Sequence, residues 1–461
     1  MKTNLSKKQL RIGTLVALFI TAAALMAFSG SNGKSNYVAH EWGTFTSVQG
    51  ADGVLLNWRP LETSLLPSFV YDWSKPGLNR TLAGFGKGAM TSLQRMETPV
   101  VYFYADEELS VDVSVQFPQG RITEWFPQAD LIGPAWVATP PFVETLDTGA
   151  HKLGAKLEFT FASLLSQHVA KDSRVVWSGV KILPGKQHPE IAPLVPSDKS
   201  GSHYFAARET DSTFVKIKSL SKTNSSPEYD KFLFYRGVGN FTTPLQVTMA
   251  SDNNVTLTNQ GAEALSGLFV IRLRNGEGQF IHIDKLDQNG SSSVSFEQDH
   301  PASEVIAALE KEIVSALTEQ GLYPREATAM VNTWKDSWFE EDGVRVLYLL
   351  SREWTDRTLP MQLSPQPQQL ARVMVGRAEL IPPGVQELLC KSLKDASTGD
   401  TQARKIALLE LKRLGRFAEA SMGLVRDTES KQTGWSLLQV ISKAKSEQVA
   451  SRLQNAVVKS N

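Results

Sequence analysis

Val111-Asp112-Val113-Ser114-Val115-Gln116-Phe117 alternates apolar and polar residues without a break. Val111, Val113, Val115 and Phe117 therefore point one way while Asp112, Ser114 and Gln116 point the other, the signature of a half-buried antiparallel strand. Working outward, a period of two dominates from Tyr37 to about Phe296. Further strands are expected at 100–104, 121–125, 157–161, 175–182, 213–217, 232–235, 245–249, 268–273 and 280–283. Turn chemistry separates them at Asp52-Gly53, Pro118-Gln-Gly120, Asn275-Gly276 and Asn289-Gly290. Many strands at short spacing imply two packed sheets, so residues 37–300 are read as a β-rich, antiparallel, sandwich-like domain. Two Pro- or Ser-rich stretches, 183–202 and 220–227, read as exposed loops.

Near Pro301 the period becomes helical. Val305, Leu309, Ile313 and Leu317 fall four apart, and Pro324 opens a second helix carrying Ala327, Met330, Val331, Trp334 and Trp338. Strands at 344–350 and 372–375 follow, making 301–382 a mixed helix and strand segment packed on the sandwich, with strands placed to extend the preceding sheet and so a soft boundary near 300. After Pro382-Pro383 the chain reads as helices at 385–392, 402–414, 417–425 and 435–458, a helical C-terminal domain over 383–461. The class is mainly β with α, that is α+β.

The chain has 461 residues, with 48 Lys plus Arg against 48 Asp plus Glu. Zero net charge supplies no field for nucleic acid, which is excluded as a partner. A basic stretch with Lys7, Lys8 and Arg11 precedes an uncharged apolar run from Ile12 to Phe28, and small residues follow at Ser29-Gly30. That pattern predicts export, with residues 1–36 a cleaved signal peptide plus spacer or else a single-span anchor. The expected location is the periplasm or cell envelope of a bacterium, with membrane contact only through 12–28. One cysteine, Cys390, forbids an intrachain disulfide, and its place on an apolar helix side marks it as a small core residue.

No His-Glu-x-x-His, Gly-x-Ser-x-Gly, P-loop or Cys-x-x-Cys motif occurs. Gly84-Phe-Gly86-Lys87-Gly88 lacks the Walker spacing and reads as a turn. The densest polar and aromatic cluster is His40-Glu41-Trp42-Gly43-Thr44-Phe45-Thr46. On a strand, His40 and Trp42 share one face and Glu41 and Gly43 the other. His40 and Glu41 could serve as metal ligand and base, or as hydrogen-bonded residues of a first strand. His203, Glu97 and Glu124 complete the catalytic candidates. Arg95 with Glu97, and Arg236 with a carboxylate, suit structural ion pairs, and His282 with Asp284 is a weak metal-ligand pattern. Trp42, Trp58, Trp73, Trp125, Trp136 and Trp177 suit core packing or stacking on sugar rings.

Taken together, His40-Glu-Trp-Gly-Thr-Phe-Thr46, Glu97-Thr-Pro-Val-Val-Tyr-Phe-Tyr104, Phe117-Pro-Gln-Gly-Arg-Ile-Thr-Glu-Trp-Phe-Pro127, Phe232-Leu-Phe-Tyr-Arg-Gly237, Gly321-Leu-Tyr-Pro-Arg-Glu-Ala327 and Trp338-Phe-Glu-Glu341 resemble a family of exported bacterial proteins to which no activity is assigned. The resemblance covers most of residues 37–380. It implies bacterial export and a shared fold, and it carries no catalytic residue over. The sequence names no cofactor. Two functions follow as expectations: a non-catalytic envelope binding or scaffold protein whose ligand is a glycan or a protein, or a hydrolase with a dispersed, metal-dependent or metal-free site at His40, Glu41 and His203.

Overall fold

A computed structural model describes residues 35–59, 66–72, 91–133, 173–184, 188–198, 201–218 and 226–458. The export segment, the strand expected at 157–161, the turn at 84–88, Trp73 and Trp136 lie outside the described residues.

Ten strands form one large sheet. In chain order they are β1 (Ser35–Gln49), β2 (Tyr71–Asp72), β3 (Gln94–Ala105), β4 (Gly120–Phe126), β5 (Leu233–Gly239), β6 (Leu265–Arg274), β7 (Glu277–Leu286), β8 (His300–Pro301), β9 (Gly343–Leu350) and β10 (Pro367–Leu380). Their order across the sheet is β8-β7-β6-β9-β10-β1-β3-β5-β4-β2. Every neighbouring pair is antiparallel except β1 with β10, which run parallel with His40 opposite Ala371 and Thr46 opposite Arg377. The α+β class expected from the periodicities holds. β9 and β10 stand between β6 and β1, so the strands of the 301–382 segment do extend the preceding sheet across the soft boundary near residue 300.

From Ala39 to Gln49 β1 is buried without a break because both faces of the large sheet are covered. Ala39, Phe45, Met96, Val101, Tyr235, Val346 and Met374 point to a core shared with two smaller sheets. One of these contains Leu109–Phe117, the alternating stretch, paired with Ser173–Leu183, and buries Val111, Val113, Val115 and Phe117 completely. The other is a three-stranded sheet of 245–249, 254–259 and 291–295. On the opposite face, Trp42, Val100, Phe234, Leu347 and Val373 pack against α1 (Ala302–Glu319) and α2 (Pro324–Lys335). Val305, Leu309, Ile313 and Leu317 are the buried stripe of α1, as their spacing requires.

A bulge sits where β1 crosses β3. Trp42 pairs with Val100 and Thr44 with Glu97, so Gly43 faces Thr98 and Pro99 together. A Cβ on Gly43 would lie 3.0 Å from the Pro99 backbone, and Thr98 takes the left-handed region at φ 48°. The Trp-Gly-Thr and Glu-Thr-Pro stretches are thus two sides of one local geometry.

Beyond a short helix, α3 (Arg352–Thr358), the C-terminal unit comprises α4 (Pro383–Ser397), α5 (Thr401–Arg413) and α6 (Thr428–Val458) around Leu389, Leu393, Leu411, Met422 and Leu437. The helix expected at 417–425 is instead short 3-10 turns at 415–417 and 420–423. Phe417 and Ala420 join Val48, Trp58 and Ile381, seating this unit on one end of the large sheet. Among the described residues no helix is long and apolar enough to cross a membrane.

Candidate functional site

The alternation of β1 sends His40 toward the helices and Glu41 into the core between sheets. His40 is fully buried, and its Nδ1 lies 2.7 Å from Glu326 Oε2 in the first turn of α2. Glu326 sits there because Pro324 opens the helix, and its carboxylate accepts the Tyr323 N–H at 2.8 Å, half of a capping box. The Tyr104 hydroxyl donates to the other oxygen at 2.6 Å. Burial, with the Glu326 charge beside it, pushes the Tyr104 hydroxyl far above its usual range, so it remains a donor. The His40 ring packs 4.5 Å from that of Tyr323, and its Nε2 has no hydrogen-bond partner.

Glu41 belongs to a different network. It accepts from the Tyr235 hydroxyl and from Arg372 Nε at 2.6 Å, and Arg372 reaches on to Asp356 at 2.7 Å. Burial acts to lower the Arg372 pKa, but the Glu41 charge outweighs it and holds the guanidinium above its ordinary value. His203 lies in a 3-10 turn, with its side chain about half exposed, 3.9 Å from Asp336 and stacked on Trp334. Its contact on α2, Trp334, falls eight residues beyond Glu326, roughly 12 Å along the helix axis. His40, Glu41 and His203 do not converge.

Glu97 and Glu124 belong to neighbouring ion pairs, and both carboxylates act on Arg95. Arg236 clamps Glu124 through two bonds of 2.8 Å. Glu97 takes Arg95 Nε and Arg416 Nη1, each at 2.9 Å, and the Thr46 hydroxyl at 2.9 Å. Arg377 binds Glu379 at 2.7 Å and Glu341 at 3.0 Å, while Arg345 binds Glu379 at 3.1 Å. Burial works to raise the Glu97 carboxyl, but Arg95, Arg416 and Arg377 together hold it down to about 2. Burial likewise draws Arg95 down to about 10 against the attraction of Glu97. Arg95-Glu97 and Arg236-Glu124 are the ion pairs their sequence context suggests. Glu341, at the end of the segment after α2, turns inward to Arg377.

Sequence reasoning passed over Glu326, Arg377, Glu379 and Arg416. Three of these carried a signal: Arg377 and Glu379 are charges two apart within the apolar run 373–380, and such charges need buried partners. Pro324 with an acid two residues on was a first-turn signature for Glu326. Nothing local marks Arg416.

His282 is stacked on Phe269 and pairs with Glu312 at 3.0 Å, and among the described residues no three His, Cys, Asp or Glu are grouped to hold a metal. Trp42, Trp58, Trp125 and Trp177 are buried, which removes these four as faces for sugar stacking. Burial of Cys390, half covered on α4, raises its thiol pKa.

The chain matches no protein-family model and no curated protein. Among solved structures it is similar to the Fcho1 mu homology domain of Danio rerio with bound Eps15 peptide, at 8% identity and a TM-score of 0.27 over 76% of this chain and 99% of that one. It is also similar to the yeast delta-COP-I mu-homology domain, at 9% identity and a TM-score of 0.24 over 76% of this chain and 98% of that one. Scores at this level do not establish a common fold.

Proposed function

We propose that this chain is an exported, non-catalytic binding or scaffold protein of the bacterial cell envelope. The observation that carries the reading is the separation of the side chains a hydrolase would need to bring together. His40 and Glu41 leave opposite faces of one strand and are bound into different buried networks, and His203 stands at the far end of α2. In the C-terminal unit Leu388 on α4, Leu409 on α5 and Val440 on α6 are 42%, 59% and 51% exposed. These exposed apolar positions, one on each helix, are where contact with a partner protein is probed. Export is supported by the charged start and the apolar run 12–28.

The test expresses the full chain in a bacterium, fractionates the cells, and places a photo-crosslinking residue in turn at 388, 409 and 440. Recovery in the envelope with a discrete protein adduct from these positions, absent from a control position such as 287, is the expected result. Cytoplasmic recovery, or hydrolysis of ester, amide or glycoside substrates that disappears in His40→Ala, would overturn the reading.

A further inference from the structure

The arginine-carboxylate cluster under the C-terminal unit carries an inference that goes beyond that reading, since it would hold for a binder or an enzyme. Among the described residues, Arg95, Arg345, Arg377 and Arg416 face Glu97, Glu341 and Glu379, and the neighbouring Arg236 and Glu124 balance each other. One positive charge is left in excess. A buried charge without a counter-charge is costly, so an interior of this sign favours an anion.

The donors are equally unbalanced. Arg377 is fully buried, its Nε and Nη2 are fixed on Glu379 and Glu341, and its Nη1 has no hydrogen-bond partner. Arg416 gives Nη1 to Glu97, and its Nη2 is also buried and unpartnered. The two guanidinium groups stand beside each other. Both approach Glu341, at 3.0 and 3.8 Å, and both lie over the Phe417 ring, at 5.2 and 4.7 Å from its centre. The carboxylates hold each planar fork in a fixed orientation, leaving Arg377 Nη1 and the Nε–Nη2 edge of Arg416 without a hydrogen-bond partner. Such an edge matches the spacing of two oxygens on a carboxylate or phosphate. The cluster comes nearest to solvent beside Glu341, whose side chain is 40% exposed, with that of Arg416 13% exposed.

We infer that Arg377 and Arg416 form a binding site for one oxyanion group of a ligand, a carboxylate or a phosphate, entered at the seam between the C-terminal helices and the large sheet. The experiment titrates the full-length protein with inorganic phosphate and, separately, with acetate, by calorimetry at constant ionic strength, with sodium chloride as the control. Saturable one-to-one binding of either anion is expected, and which of the two binds distinguishes phosphate from carboxylate ligands. Arg416→Gln, at the rim, should weaken that binding about tenfold or more, as loss of a charge-assisted hydrogen bond does. Arg377→Lys should weaken it similarly if it folds, and Arg416→Gln decides the matter if it does not. No saturable binding of either anion, or binding unaltered in Arg416→Gln, would overturn the inference.

Discussion

His40 and Glu326 are 286 residues apart in the chain, yet the imidazole Nδ1 and a carboxylate oxygen meet at 2.7 Å with neither side chain exposed. The contact ties the first strand to the first turn of α2, and the same carboxylate also holds Tyr104 and the Tyr323 N–H. It therefore docks the helix on the sheet as well as capping it.

Removing that carboxylate strands the buried His40 and two part-buried donors, the Tyr104 hydroxyl and the Tyr323 N–H, at once. Glu326→Ala should cost about 3–5 kcal/mol, and Tyr104→Phe only about 1 kcal/mol, in urea denaturation. Glu326→Gln, which keeps an acceptor for the cap, should fall between them. A cost below about 1 kcal/mol for Glu326→Ala would show that the pair does not anchor the helix.

Glu97 predicts the acid limb of stability. Its folded pKa is held at about 2 against an ordinary 4.5, so its contribution is complete above pH 4.5 and is lost as pH falls through that interval toward 2. Two to three pH units of depression correspond to roughly 3 kcal/mol at neutral pH. Glu97→Gln resembles the protonated acid. It should be less stable than the native chain at pH 7, with the gap closing between pH 4.5 and 2. A gap independent of pH in chemical denaturation would assign the effect to packing instead.

Local pattern made the strands readable because burial of one face forces a period of two, and Val111 to Phe117 shows it in full. β1 was legible as a strand, down to His40 and Glu41 parting to opposite faces. Its parallel pairing with β10 was not, since Glu41 and Arg372 are 331 residues apart and no local rule selects that neighbour. The same limit applies to the candidate site. Arg95, Glu97, Glu124 and Arg236 stood out as charges in apolar runs, whereas Arg416 reaches Glu97 from another structural unit 319 residues away.

Arg372 and Glu41 provide a test of what a buried pair contributes. Neither side chain is exposed, and the arginine remains charged, so Arg372→Met leaves the Glu41 carboxylate uncompensated and should cost about 3–5 kcal/mol. Adding Glu41→Leu removes the stranded charge. The double variant should be more stable than Arg372→Met alone, with a coupling on the order of 1–3 kcal/mol in a double-mutant cycle. Additive costs would mean that the two side chains act independently despite their 2.6 Å contact.

The helix expected over 435–458 begins earlier, and α6 runs through Gly434 from Thr428 to Val458. The reason for a glycine lies across the interface: a Cβ there would fall 2.4 Å from Met422 Sδ and 3.4 Å from Leu393 Cδ1. Helix propensity alone favours Gly434→Ala by about 1 kcal/mol. Overpacking opposes it by about 1–3 kcal/mol, and because Met422 is buried with little room to move, the clash should win. Gly434→Ala is therefore expected to lower the thermal midpoint, and Met422→Ala in the same chain should restore part of the loss by making space. If Gly434→Ala raises the midpoint instead, the helices do not approach as closely as this contact requires.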